Sequence, residues 1–210
     1  TPKAKAIFRN SKMTENNWEV LEKMLNKMYK TSIGYNFYNI LLSELEGKTA
    51  IITFVEGKGS RFDPTTTSIE LGTECNSSTL FHEMIHLLQS YTEKETWNGS
   101  ALNREVEAHL LQQMYINSLP ESEQIWWLKI TKYDPRWNSI RELVKYFKLS
   151  GGELKDDFTN DDLQQILGNR VINDLHRTGY DSINYPWLIS RKGISNFENL
   201  VKILHYGLKY

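Results

Sequence analysis

The sequence predicts an α+β fold that is mostly helical, with a short β-sheet lying beside one motif-bearing helix and a helical C-terminal half. Three observations predict it. Apolar residues recur every three or four positions over most of the chain, the period of a helix with one buried face. Residues 49–55, TAIITFV, are β-branched and apolar and read as a strand, and TTTSIEL (65–71) gives a second strand with alternation at its end. Between these strands and the C-terminal half, FHEMIHLLQ (81–89) sets His-Glu-x-x-His inside an apolar run of helical length.

Taken in order, the first ten residues read as an irregular or edge-strand start. Thr14 can cap a helix running to Lys30, whose Trp18, Leu21, Leu25 and Met28 share a face. A second helix is expected over 36–45, stopping at Gly47. EGKGS (56–60) reads as a turn between the two strands, and GTECNSS as a loop in which Ser77 or Ser78 caps the motif helix, expected over 79–93. TWNGS (96–100) interrupts the helical pattern, which resumes over 101–118 and ends before Pro120. Further helices are expected over 121–131, 138–149, 160–175 and 194–207, with loops at 150–157 and 178–186. The expectation is one domain over 1–210, with a metal-site core in 49–115 and a helical subdomain in 121–210.

Composition narrows the function classes. With 25 Lys+Arg against 26 Asp+Glu, no basic excess points to nucleic acid or an anionic membrane surface. No apolar run approaches the ~18–20 residues of a membrane span. Cys75 is the only cysteine, so neither an intrachain disulfide nor a multi-thiolate zinc site can form. Its position seven residues before His82 would let a thiolate block a metal there, although a small loop residue without a role is the simpler reading. Six Trp and 11 Tyr suit either an aromatic-lined cleft or ordinary packing. The start at Thr1-Pro2, without an initiator Met, fits a removed signal or a trimmed chain, and the expectation is a bacterial secreted or cell-envelope protein.

The motif carries the chemistry. Residues four apart on a helix lie about 40° apart around its axis, one above the other. His82 and His86 can therefore offer two imidazoles to one ion, while Glu83, beside them, can reach a water on that ion. Two ligands and a general base thus come from one helix. Two histidines and a carboxylate among Leu80, Phe81, Met84, Ile85, Leu87 and Leu88 would be costly to bury unless paired or metal-bound.

A tetrahedral site needs a third protein ligand, and ALNREVEAHLLQQM (101–114) offers Glu105, Glu107 and His109. Glu105 and Glu107 are about 200° apart around a helix, so one of them at most faces the ion. Ala108 and Ala101 near Glu105 would let another helix approach, whereas Arg104 at i−3 can pair with Glu107 at the surface. That spacing favours Glu105, with Glu107 or His109 as the alternatives. In the first case His109 is a supporting group or a substrate contact.

His-Glu-x-x-His followed after 18 residues by a Glu on the next helix resembles the gluzincins, the thermolysin-like class of zinc metallopeptidases, and NREVEA resembles the third-ligand helix of small members. The resemblance covers about residues 49–115. It departs from thermolysin at Arg104, which follows Asn103 where a Glu ligand is expected, and at His109, which stands where an Asp supports the first histidine. The resemblance implies a zincin-like fold and zinc held by His82, His86 and Glu105. It also implies Glu83 as base and then acid, and a peptide or protein substrate paired along a strand near 67–72. It further implies an oxyanion-stabilising Tyr or His from the C-terminal half, for which His176, Tyr180 and Tyr185 are the candidates. Two competing readings are an inactive zincin-like binding protein and an all-helical interaction domain without metal.

Overall fold

The computed structural model describes residues 2–57, 59–92, 101–147, 155, 162, 165–178 and 197–206. It is mostly helical with one small three-stranded sheet, and the chain divides into two compact units, Thr1–Lys94 and Glu95–Tyr210. The division falls within the stretch 49–115 that the sequence groups around the metal.

The first unit opens with a helix, α1 (Lys3–Phe8), where an irregular or edge-strand start was expected. The cause is remote in sequence. The Glu22 carboxylate accepts from the main-chain N–H of Lys3 at 3.1 Å and of Ala4 at 2.7 Å, supplying acceptors that a first helical turn otherwise lacks. Ala4, Ile7 and Phe8 are thereby buried. α2 (Glu15–Tyr29) has the expected cap, with Thr14 Oγ1 accepting from Asn17 N at 3.2 Å. α3 (Ser32–Leu45) begins four residues before the expected start, capped by Thr31. Gly34 looks like a breaker, yet a Cβ there would lie 2.1 Å from the Met28 carbonyl oxygen, so glycine lets the α2–α3 turn close. The chain leaves α3 through Glu46 in the left-handed region, ahead of Gly47 as the sequence predicts.

The sheet contains β1 (Ile51–Val55), β2 (Ser60–Asp63) and β3 (Ser68–Gly72), in the order β1-β3-β2. β1 runs parallel to β3, and β2 is antiparallel to it. β2 was not expected: Ser60 was read as the end of a turn, and 61–63 were assigned to no element. It is four residues long between glycines and a proline, too short to show a period, and it is fixed by pairing. The Arg61 guanidinium, for example, meets the Glu70 carboxylate across the ladder at 2.8 and 3.1 Å. β3, the strand expected to receive an extended substrate, is central and has a partner on each side, so it has no edge to offer. That expectation is corrected, and the edges of the sheet are β1 and β2.

The connection from β1 to β2 crosses the end of β3. Gly72 N donates to Gly59 O at 2.8 Å and Glu74 N to Gly57 O at 3.0 Å. A Cβ at position 72 would sit 2.3 Å from Gly57 O, so the crossing requires glycine there.

α4 (Ser77–Thr92) carries the motif and packs against β2 and β3, as expected of a sheet beside the motif helix. Its cap is Asn76, not Ser77 or Ser78: Asn76 Oδ1 accepts from Ser78 N at 2.9 Å and Thr79 N at 3.2 Å. Leu80, Phe81, Met84, Ile85 and Leu88 are fully buried in a core shared with Leu21, Leu25, Phe37, Leu41, Ile52 and Ile69. Phe37 and Phe81 meet edge to face at 4.9 Å.

The second unit contains α5 (Ala101–Asn117), α6 (Glu121–Thr131), α7 (Pro135–Val144), a wide helical turn at Leu167–Val171 running into α8 (Ile172–Arg177), and α9 (Glu198–His205). α5 is buried on almost every side, polar positions included. The tryptophans take both fates open to them. Trp127 and Trp137 stack edge to face at 4.9 Å in the interior, whereas Trp126 is half exposed.

Candidate metal centre

On α4 the two histidines meet as the helical spacing requires. His82 Nε2 and His86 Nε2 lie 3.1 Å apart, with the rings nearly perpendicular at 85°. Two nitrogens bound to one tetrahedral zinc at about 2.0–2.1 Å would be about 3.3 Å apart, so the pair is spaced for a shared ion. Imidazole nitrogens at this separation could share a divalent metal ion. His86 is buried and His82 partly so.

His86 is held from its far side. Its Nδ1 lies 2.8 Å from the side-chain oxygen of Gln89, a residue with no exposed surface. Glu83 is 6% exposed, and its Oε1 accepts from the Ser60 hydroxyl on β2 at 2.8 Å. The Glu83 carboxylate is therefore tied to the neighbouring strand by one oxygen. Sequence reasoning missed both Ser60 and Gln89. Gln89 had a usable signal, since it stands three residues after His86 on the same helix and within side-chain reach. Ser60 had none, being 23 residues from Glu83 and read as the end of a turn.

Cys75 lies in the loop before α4, its Sγ 3.8 Å from Gly59 O. Burial raises the pKa of its thiol above the ordinary range, and the nearby Glu83 carboxylate pushes the same way.

On α5, Glu105 and His109 lie one turn apart. His109 Nδ1 donates to the Glu105 main-chain oxygen at 2.8 Å, with Glu105 Oε2 at 3.8 Å. Because Nδ1 carries the proton in that bond, Nε2 is the lone-pair nitrogen. The His109 ring packs on Trp137 at 5.1 Å, which fixes its plane. Glu107 is not at the surface, where pairing with Arg104 was expected to hold it. Both residues are buried, and the Glu107 carboxylate accepts from Leu200 N at 2.9 Å and Asn199 Nδ2 at 3.3 Å. These groups belong to the first turn of α9, where N–H groups lack helical acceptors and the helix dipole favours a negative charge.

His176 falls within α8, but its side chain lies outside the described residues, as do Tyr180 and Tyr185. Comparison of the chain with family models, with curated protein sequences and with solved structures finds no match.

Proposed function

We propose that the chain is a zinc-dependent peptidase. His82 and His86 of α4 would hold the ion, Glu105 of α5 would complete the protein ligands, and Glu83 would act as the general base. The observation that carries this reading is the 3.1 Å approach of the His82 and His86 Nε2 atoms, with a buried carboxylate at the intervening motif position held by Ser60. His82, Glu105 and His109 each offer one donor atom of a type that binds divalent cations, so α5 supplies a carboxylate and, as the alternative, an imidazole.

A zinc ion bound there would supply Lewis acidity toward a carbonyl oxygen and a water of lowered pKa. The chain's own groups do the rest. Glu83 takes the proton from the attacking water through the carboxylate oxygen not engaged by Ser60, then returns it to the leaving amine nitrogen. Gln89 and the main-chain oxygen of Glu105 orient the imidazoles of His86 and His109.

The test is metal analysis of the purified chain together with cleavage of a mixed peptide library. Zinc at one equivalent and cleavage by the wild-type chain are expected. Glu83→Gln should retain the zinc and lose about 10²–10⁴-fold in rate. Normal cleavage by that variant would refute the role of Glu83. Zinc without any cleavage would leave a binding protein, and absence of zinc would sink the site.

A further inference from the structure

We infer that Gln89 is a positioning residue for the cation, because its amide oxygen selects the His86 tautomer that presents an Nε2 lone pair. The inference rests on the proposed metal site and adds a residue to it.

A neutral imidazole carries one N–H and one lone pair, and the partner of one nitrogen decides the state of the other. His86 Nδ1 is 2.8 Å from Gln89 Oε1. An amide oxygen has no hydrogen to give, so the proton in this bond belongs to Nδ1. Nε2 is then the unprotonated nitrogen, and it is the atom that stands 3.1 Å from His82 Nε2. The hydrogen-bond acceptor that fixes the tautomer is therefore on the opposite side of the ring from the ligand atom, the arrangement that favours metal binding.

Burial gives the bond its selectivity. At an exposed histidine, water can serve either nitrogen and both tautomers persist. Gln89 has no exposed surface and His86 is 7% exposed, so the amide is an acceptor that solvent cannot readily replace. The two residues are three apart on α4, so the helix backbone sets their distance and the geometry is present before any ion arrives. His86 thus enters the site with its lone pair already directed and no ring flip required. An apolar residue at position 89 would leave the tautomer unselected.

The experiment uses the full chain. The imidazole nitrogens of His86 are read by long-range proton–nitrogen correlation in the metal-stripped wild type, and zinc affinity is measured by competition with a chromophoric chelator. The affinity series includes wild type, Gln89→Met, which keeps length without an acceptor, and Gln89→Glu, which keeps an acceptor oxygen. We expect His86 protonated at Nδ1 in the wild type, zinc affinity lowered about 10–100-fold in Gln89→Met, and most of it restored in Gln89→Glu. His86 protonated at Nε2, or Gln89→Met binding zinc as tightly as wild type, would overturn the inference. Equal losses in both variants would also overturn it, since they would assign Gln89 a packing role alone. If Gln89→Met fails to fold, the wild-type tautomer decides. A wild-type chain with no zinc affinity would remove the proposed site itself. Tight wild-type binding that Gln89→Met leaves unchanged would remove only the role of Gln89.

Discussion

Glu83 is fixed by a hydroxyl that no helical rule predicts. Ser60 donates to one of its oxygens at 2.8 Å, and a hydrogen bond to a charged group contributes about 1.5–3 kcal/mol. In the proposed peptidase, Ser60→Ala leaves the carboxylate free to leave its productive rotamer while the histidines are untouched. The expected result is a fall in kcat of about tenfold or more with unchanged zinc affinity, measured by steady-state peptide hydrolysis and chelator competition. An unchanged kcat would make Ser60 a structural contact only. His82, Glu83 and His86 were legible because their mutual geometry is set within one helix. Glu107 was not. Its pairing with Arg104 at the surface is a sound local expectation, but the side chain is buried, and the first turn of α9, more than 90 residues further along, donates to its carboxylate.

At the scale of elements, caps and crossings decide stability. Asn76 supplies acceptors to two N–H groups at the start of α4, the helix that carries the motif. Asn76→Ala is expected to destabilise the protein by about 1 kcal/mol, measured as a lower urea midpoint at constant slope. No change would mean that neighbouring serines take over the cap. Gly72→Ala is the harsher change, because the new methyl carbon would stand 2.3 Å from Gly57 O and the obstacle is backbone. A loss of about 3 kcal/mol is expected in the same measurement, at the upper end of ordinary overpacking. A wild-type midpoint would show that the loop at 56–59 shifts without cost. The helices α2, α4, α5 and α6 were legible within a few residues, because each spans three turns or more and is bounded by cap or breaker residues such as Thr14 and Pro120. α1 and β2 were not. Six residues and four residues show no reliable period, and each exists because a distant group completes its hydrogen bonding, Glu22 for α1 and β3 for β2.

For the whole molecule, near-zero net charge and the lack of any described helix long and apolar enough to cross a membrane are plain facts of the chain. A cation bound only by the folded chain stabilises it by mass action, about 2.7 kcal/mol at one hundred times its dissociation constant. Removing zinc with EDTA should therefore lower the melting temperature in calorimetry, and added zinc should restore it. In His82→Ala the difference should vanish. A wild-type melting curve indifferent to both treatments would count against any cation site. The sequence by itself determined the motif helix, the shared face of its two imidazoles and the helix that follows with its acidic residues. All of these depend on neighbours within about one turn, where the backbone leaves little choice. Only the tertiary structure decided that β3 is central, that Ser60 reaches Glu83 and that Glu107 braces α9. Those pairings close loops of tens of residues, and which of many competing partners meets a given group is settled by the packing of the whole unit rather than by any local pattern.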